Sequence, residues 1–145
     1  MELTVKTFDE LTVQELYEIL KLRSDVFVVE QNCIYPDPDN RDQEALHLFL
    51  KDSEGIQGYL RVLKPADGTA ALIGRVIAAK RRCGIGSRLV QAGLKAAAER
   101  FRASSVLVEA QSYAEGFYAS LGFVPISEEF LDYGIPHIKM LREIR

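Results

Sequence analysis

The chain has 145 residues, 48% hydrophobic and 27% charged, a balance that suits one globular domain with a core of its own and excludes a disordered or membrane-embedded chain. Its formal charge of −3 provides no global basic field, so nucleic acid is not an expected partner and any anion site must be local. Cys33 and Cys83 are the only cysteines, too few for a disulfide framework and without metal-ligand spacing.

The N-terminus, "MELTVKTFDELTVQ", shows neither the basic nor the apolar region of a signal peptide. No apolar run nears the ~20 residues a membrane-crossing helix needs; the expectation is a cytoplasmic protein with no membrane partner. Alternation of Leu3, Val5 and Thr7 with polar neighbours predicts a strand over 2–8. Thr12-Val-Gln-Glu15 reads as a capping box opening an amphipathic helix through Leu16, Ile19, Leu20, Arg23, Val26 and Phe27. The stretch "EQNCIYPDPDNRDQE" is a long loop; its "DPDNRD" core fails the EF-hand spacing and reads as a polar loop. "ALHLFLKD", "IQGYLRVLK" and "TAALIGRVIAA" predict three strands, joined by the turns Asp52-Ser-Glu-Gly55 and Pro65-Ala-Asp-Gly-Thr69 into an antiparallel meander. A helix from Ser87 to about Arg102, a strand "SSVLVEA", a short helix from Tyr113 to Leu121 and strands near 123–130 and 135–142 complete the chain. The order β-α-β-β-β-α-β-α-β-β belongs to the α+β or mixed α/β class around one sheet.

Between the third meander strand and the next helix lies "KRRCGIGSR", the most obvious local basic cluster. Glycine lets backbone approach a ligand closely, and the first N–H groups of a helix have no partners within it. A pyrophosphate could accept from those groups while Arg81, Arg82 or Arg88 neutralises it; a solvated basic turn is the plainer reading of the same residues. A Walker loop does not fit, and a dinucleotide fingerprint would need glycine where Leu89 stands.

Arg81-Arg-Cys-Gly84-Ile-Gly86 resembles the Arg/Gln-x-x-Gly-x-Gly/Ala loop of the GNAT acetyltransferases, and "QSYAEGFYASLGFVPISEEF" resembles that superfamily's second signature. "LRSDVFVVEQNC", "LHLF" and "DYGIPHIKM" are similar to its ElaA-like branch, so the resemblance runs along nearly the whole chain. It implies a single GNAT domain over residues 1–145, with a central, mostly antiparallel sheet flanked by helices. It implies acetyl transfer from acetyl-CoA to a primary amine by direct attack in a ternary complex, the acceptor being a small molecule or a peptide. By the same resemblance the cofactor contacts are Val76, Ile77 and Ala78, the loop Arg81, Arg82, Cys83, Gly84, Ile85, Gly86, Ser87 and Arg88, and Gln111, Phe117 and Tyr118. Gln111 stands where many members carry asparagine, and Tyr118 at the position that protonates the departing thiolate. The run Val76 to Arg81 is shorter than the family's usual spacer.

For the acceptor side, Glu30 is the first candidate base, with Glu109 as second because a charge in "VLVEAQ" wants a partner. Glu30 reads equally well as a solvated glutamate. His47 and His137 are either acceptor-pocket residues or satisfied sheet histidines. No third ligand accompanies them, so no metal is expected. A homodimer through an exposed C-terminal strand is a further expectation. The rival reading is a non-catalytic acyl-CoA-binding or sensing module on the same fold, which would need neither Tyr118 nor an acceptor pocket.

Overall fold

The computed structural model describes residues 1–32, 35–66, 70–79 and 84–144. Strand β1 (Glu2–Thr7) leads into helix α1 (Val13–Arg23). The capping box forms: Thr12 Oγ1 accepts from the Glu15 N–H at 3.0 Å, and Glu15 Oε1 accepts from the Thr12 N–H at 2.8 Å. Two helix-end donors are thereby satisfied reciprocally. The helix does not continue as an α-helix to Phe27. From Ser24 to Glu30 the backbone widens into a π-helical segment. Val26, Val28 and Val29 are β-branched and crowd an α-helical turn.

The meander forms as expected, with β2 (Leu46–Asp52), β3 (Gly55–Leu63) and β4 (Ala70–Ala78). Next come α2 (Ile85–Phe101), β5 (Ser105–Gln111) and α3 (Glu115–Ser120). The single strand expected over 123–130 is instead two short pieces, β6 (Val124–Pro125) and β7 (Phe130–Asp132). Both pair with β8 (Ile135–Glu143). Pro125 has no N–H with which to extend a ladder. The β7–β8 turn places Tyr133 at φ 50° and Gly134 at φ 78°, the paired positive values of a tight hairpin.

The strands form one sheet in the order β1-β2-β3-β4-β5-β8-β6, with β7 also on β8. Every pairing is antiparallel except β4 with β5. The C-terminal strand is not an open edge. β5 lies on one side, β6 and β7 on the other, and between these Lys139 O accepts from Ile126 N and Lys139 N donates to Ser127 Oγ, both at 2.9 Å.

Alternate residues of the sheet face opposite layers. Leu48, Leu60, Val62, Ile73 and Val108 pack with Leu89, Val90, Leu94 and Ala97 of α2. Phe49 and Tyr59 pack with Ile19 of α1 on the other side. No described helix is long and apolar enough to cross a membrane.

Helix α2 comes close to the sheet because Gly58 and Gly93 lack side chains. A Cβ on Gly58 would run into Ile85 Cγ2 and stand 2.8 Å from Leu89 Cδ1. Gly58→Ala is therefore expected to destabilise the fold by about 1–3 kcal/mol, read as a lower urea midpoint; an unchanged midpoint would show that α2 shifts freely on the sheet.

Candidate functional site

Strands β4 and β5 pair in parallel from Ala70–Ser105 to Ile73–Val108 and no further. Across the other edge, Tyr59 faces Ile77 and Arg61 faces Gly74, so β4 carries one residue more than β3 in that interval. This is a β-bulge, which bends a strand and sharpens its twist. Arg75 sits in it at φ 56°. Beyond the bulge β4 leaves β5, and a cleft of about 310 Å³ opens between them. Val76, Glu109, Gln111, Tyr118 and His137 are on its walls.

Residues 35–44 close one side of this cleft through buried ion pairs. Arg23 Nε lies 2.9 Å from Asp37 Oδ2, and Arg23 Nη1 lies 2.7 Å from Asp42 Oδ1. Arg61 donates through Nη1 to Asp39 Oδ1 and Asp42 Oδ1, both at 2.9 Å, and through Nη2 to Asp39 Oδ2 at 2.6 Å. Arg75 Nε completes the set, 2.9 Å from Asp37 Oδ1. Burial alone would raise the pKa of Asp39 and Asp42, but the guanidiniums of Arg61 and Arg23 outweigh it, holding Asp42 below and Asp39 well below the usual carboxylate range. Arg61 Nε–H is the one buried side-chain polar atom among the described residues without a hydrogen-bond partner.

Tyr35, from the same loop, packs 5.3 Å from the Tyr133 ring of the β7–β8 hairpin. Burial pushes its phenol up to about 12. Tyr118 is 7% exposed, edge-on to Phe117 at 5.0 Å and to Phe123 at 5.7 Å. Its hydroxyl is free of hydrogen bonds to the described residues, and burial, aided by Tyr113, holds its proton more tightly than in a free phenol. His137 Nδ1 is 2.7 Å from the Ile135 carbonyl; since a carbonyl only accepts, Nδ1 donates, and Nε2 makes no hydrogen bond to the described residues. Glu109 is exposed on the cleft wall with no hydrogen bond or ion pair to the described residues.

A family profile described as an acetyltransferase (GNAT) domain matches residues 9–144. The protein ElaA of Escherichia coli is 38% identical over 93% of this chain and 92% of its own, and its crystal structure superposes with a TM-score of 0.91. A UPF0039 protein of Schizosaccharomyces pombe is 38% identical, covering 99% of this chain and 98% of its own. The crystal structure of an acyl-CoA N-acyltransferase from Pseudomonas aeruginosa has a TM-score of 0.90 at 36% identity, covering 98% and 99% of the two chains. The chain belongs to the GNAT acetyltransferase family.

Membership places it among acyltransferases. Of the signature residues, Arg81, Arg82 and Cys83 lie outside the described residues. Gly84 starts α2 at φ 70° with no side chain capping the helix. Gly86 is placed against α3 and β4: a Cβ there would be 3.2 Å from Phe117 Cζ and 3.8 Å from Ala78 Cβ. Ile85 and Ile77 turn their side chains into the core, leaving only their backbone for a ligand. Ser87 is half-buried in the first turn of α2. Arg88 Nη1 donates to the Met1 carbonyl at 3.2 Å. Gln111 Nε2 donates to Gln31 Oε1 at 2.8 Å, tying the tip of β5 to the residue that follows the π-helical segment.

Two acceptor-side expectations meet a different geometry. Glu30 is exposed at the end of the π-helical segment and is not on the cleft wall. His47 is wholly buried, 2.6 Å from Tyr59 Oη and 2.9 Å from the Asp42 carbonyl. Nε2–H therefore donates to that carbonyl and Nδ1 accepts from the tyrosine. His47 is a satisfied core histidine, and His137 alone of the two reaches the cleft. The ion-pair network, Tyr35 and Tyr133 are absent from the sequence expectations. Single arginines inside the apolar runs "YLRVL" and "LIGRVI" are the signal that points to them.

Burial lowers the pKa of His47, despite its bond to Asp42. His47, Asp39 and Asp42 all bind a proton less readily folded than unfolded. Their stabilisation is thus complete above the unfolded values, about 6.5 and 3.9, and is lost as pH falls through the folded values beneath them. The urea midpoint is expected to be level near pH 7–8, to decline below about 6.5 and to drop again below about 4. His47→Gln should remove the first decline and cost about 1–3 kcal/mol at pH 7. A wild-type midpoint constant down to pH 4 would contradict a neutral, buried His47.

Proposed function

We propose that the protein transfers the acetyl group of acetyl-CoA to a primary amine of a small molecule or peptide, both substrates being bound together. The observation that carries this reading is one cleft holding both a strand edge released from pairing with β5 and a Tyr118 hydroxyl unpartnered among the described residues. The residues fit the cosubstrate. Residues 74–78 of β4 have no partner on β5, so their backbone can pair with an extended amide-bearing arm. Gly84 and the uncapped start of α2 leave N–H groups for a pyrophosphate, and Gly86 gives close access beside Phe117.

Acetyl-CoA supplies an acyl group activated as a thioester. Backbone donors at Val76–Ala78 orient that group and favour charge developing on its oxygen. Glu109, which has no counter-ion among the described residues, draws in the acceptor's ammonium. His137 Nε2, unengaged by the described residues, takes the proton that makes the amine nucleophilic. Tyr118 Oη, kept protonated through neutral pH by burial, delivers a proton as the thiol leaves.

The test pairs calorimetric titration of acetyl-CoA with a panel of amines scored by release of free thiol. Tyr118→Phe is expected to bind acetyl-CoA within about threefold of wild type while turnover falls about a hundredfold. His137→Gln should lower kcat/KM about a hundredfold while leaving acetyl-CoA binding within about threefold of wild type. Binding without thiol release on any amine would replace this reading with the acyl-CoA-sensing module, and absence of binding would remove both.

A further inference from the structure

Arg75 combines two features that are seldom found together. It is a non-glycine residue at φ 56°, a left-handed conformation disfavoured for a long side chain. It also occupies the bulge that follows the last β4–β5 pair, immediately before the cleft-wall residue Val76. Its side chain is gripped from outside its own strand. Nε is 2.9 Å from Asp37 Oδ1, Nη2 is 3.0 Å from the Asp37 carbonyl and 3.5 Å from Asp39 Oδ2. The guanidinium also lies 5.2 Å from the Tyr35 ring centre. The two aspartates are themselves fixed, Asp37 by Arg23 and Asp39 by Arg61.

We propose that Arg75 is a positioning residue through which loop 35–44 sets the shape of the cofactor wall. Pairing with Asp37 and Asp39 holds the side chain where only a left-handed backbone can deliver it. That backbone creates the bulge, and the bulge keeps β4 off β5 so that residues 76–78 face the cleft. The loop that encloses the acceptor side and the strand that receives acetyl-CoA then form a single mechanical unit. This rests on the reading of the cleft as an acetyl-CoA site.

Substitution at residue 75 separates backbone from charge. Glycine and asparagine accept positive φ, whereas alanine and glutamine resist it, and all four lack the guanidinium. Acetyl-CoA affinity is measured by calorimetry on each variant, with melting temperature as the folding control. Arg75→Gly and Arg75→Asn are expected to bind about tenfold more tightly than Arg75→Ala and Arg75→Gln, although all four lose the same ion pairs. If Arg75→Ala does not fold, the asparagine–glutamine comparison decides. Four equal affinities beneath a binding wild type would overturn the proposal and leave Arg75 as an ion-pair partner only. A wild type that binds no acetyl-CoA would instead overturn the cleft reading on which it rests.

Discussion

Charge neutrality inside residues 35–44 is the constraint around which one side of the cleft is built. Arg23, Arg61 and Arg75 meet Asp37, Asp39 and Asp42, three charges of each sign, in a region where Arg23 is wholly buried and Arg61 is 4% exposed. A lone charge there would be prohibitively costly, and removing one partner from such a set typically costs about 3–5 kcal/mol. The arginines come from α1, β3 and β4, so the cluster closes only when three elements and the loop are in place together. A segment whose only regular structure is a short 3-10 turn at Asp42–Glu44 thereby acquires a fixed path. His47 extends the same arrangement inward by linking the Asp42 carbonyl to Tyr59 beneath α1.

Parallel pairing gives the cleft its other requirement. Antiparallel neighbours elsewhere in the sheet are joined along most of their length, but β4 and β5 share only four residue pairs before they part. Those four pairs lie over α2, whose Leu89, Val90 and Leu94 support Ile73 and Val108 from below. One end of the junction is thus held by the core and the other is free to receive a ligand. Gly58 and Gly93 make that support possible by letting the helix approach, which links the packing of the core to the opening of the site.

Much of the fold is legible in the sequence because its signals are local. The capping box at Thr12, the alternation of β1 and the turn ending at Gly55 each specify a structure within a few residues. The motif "GFYASLGF" likewise marks α3, which carries Tyr118 to the cleft. Long-range pairing is harder to read. Arg75 and Asp37 are 38 residues apart, and Arg23 and Asp42 are 19 apart, so nothing in either neighbourhood names the partner. His47 and His137 look alike in sequence, each between apolar neighbours. Both lie on interior strands, but the His47 ring is closed in by Tyr59 and the Asp42 carbonyl, whereas His137 lies opposite Gln111 at the tip where β5 ends. Glu30 and Glu109 divide in the same way, the π-helical winding carrying one out to solvent and the strand keeping the other on the cleft.

The covered outer side of β8 bears on how the protein behaves when concentrated. Exposed strand edges are templates for sheet growth from one molecule to the next. Here the edge is consumed by β7, by Ile126 and Ser127, and by a β6 that contains a proline. Among the described residues β1 remains as a full-length edge, and it carries Glu2 and Lys6. Sheet growth from β8 therefore has no easy starting point, and the edges still open to pairing are β1 and residues 74–78 of β4.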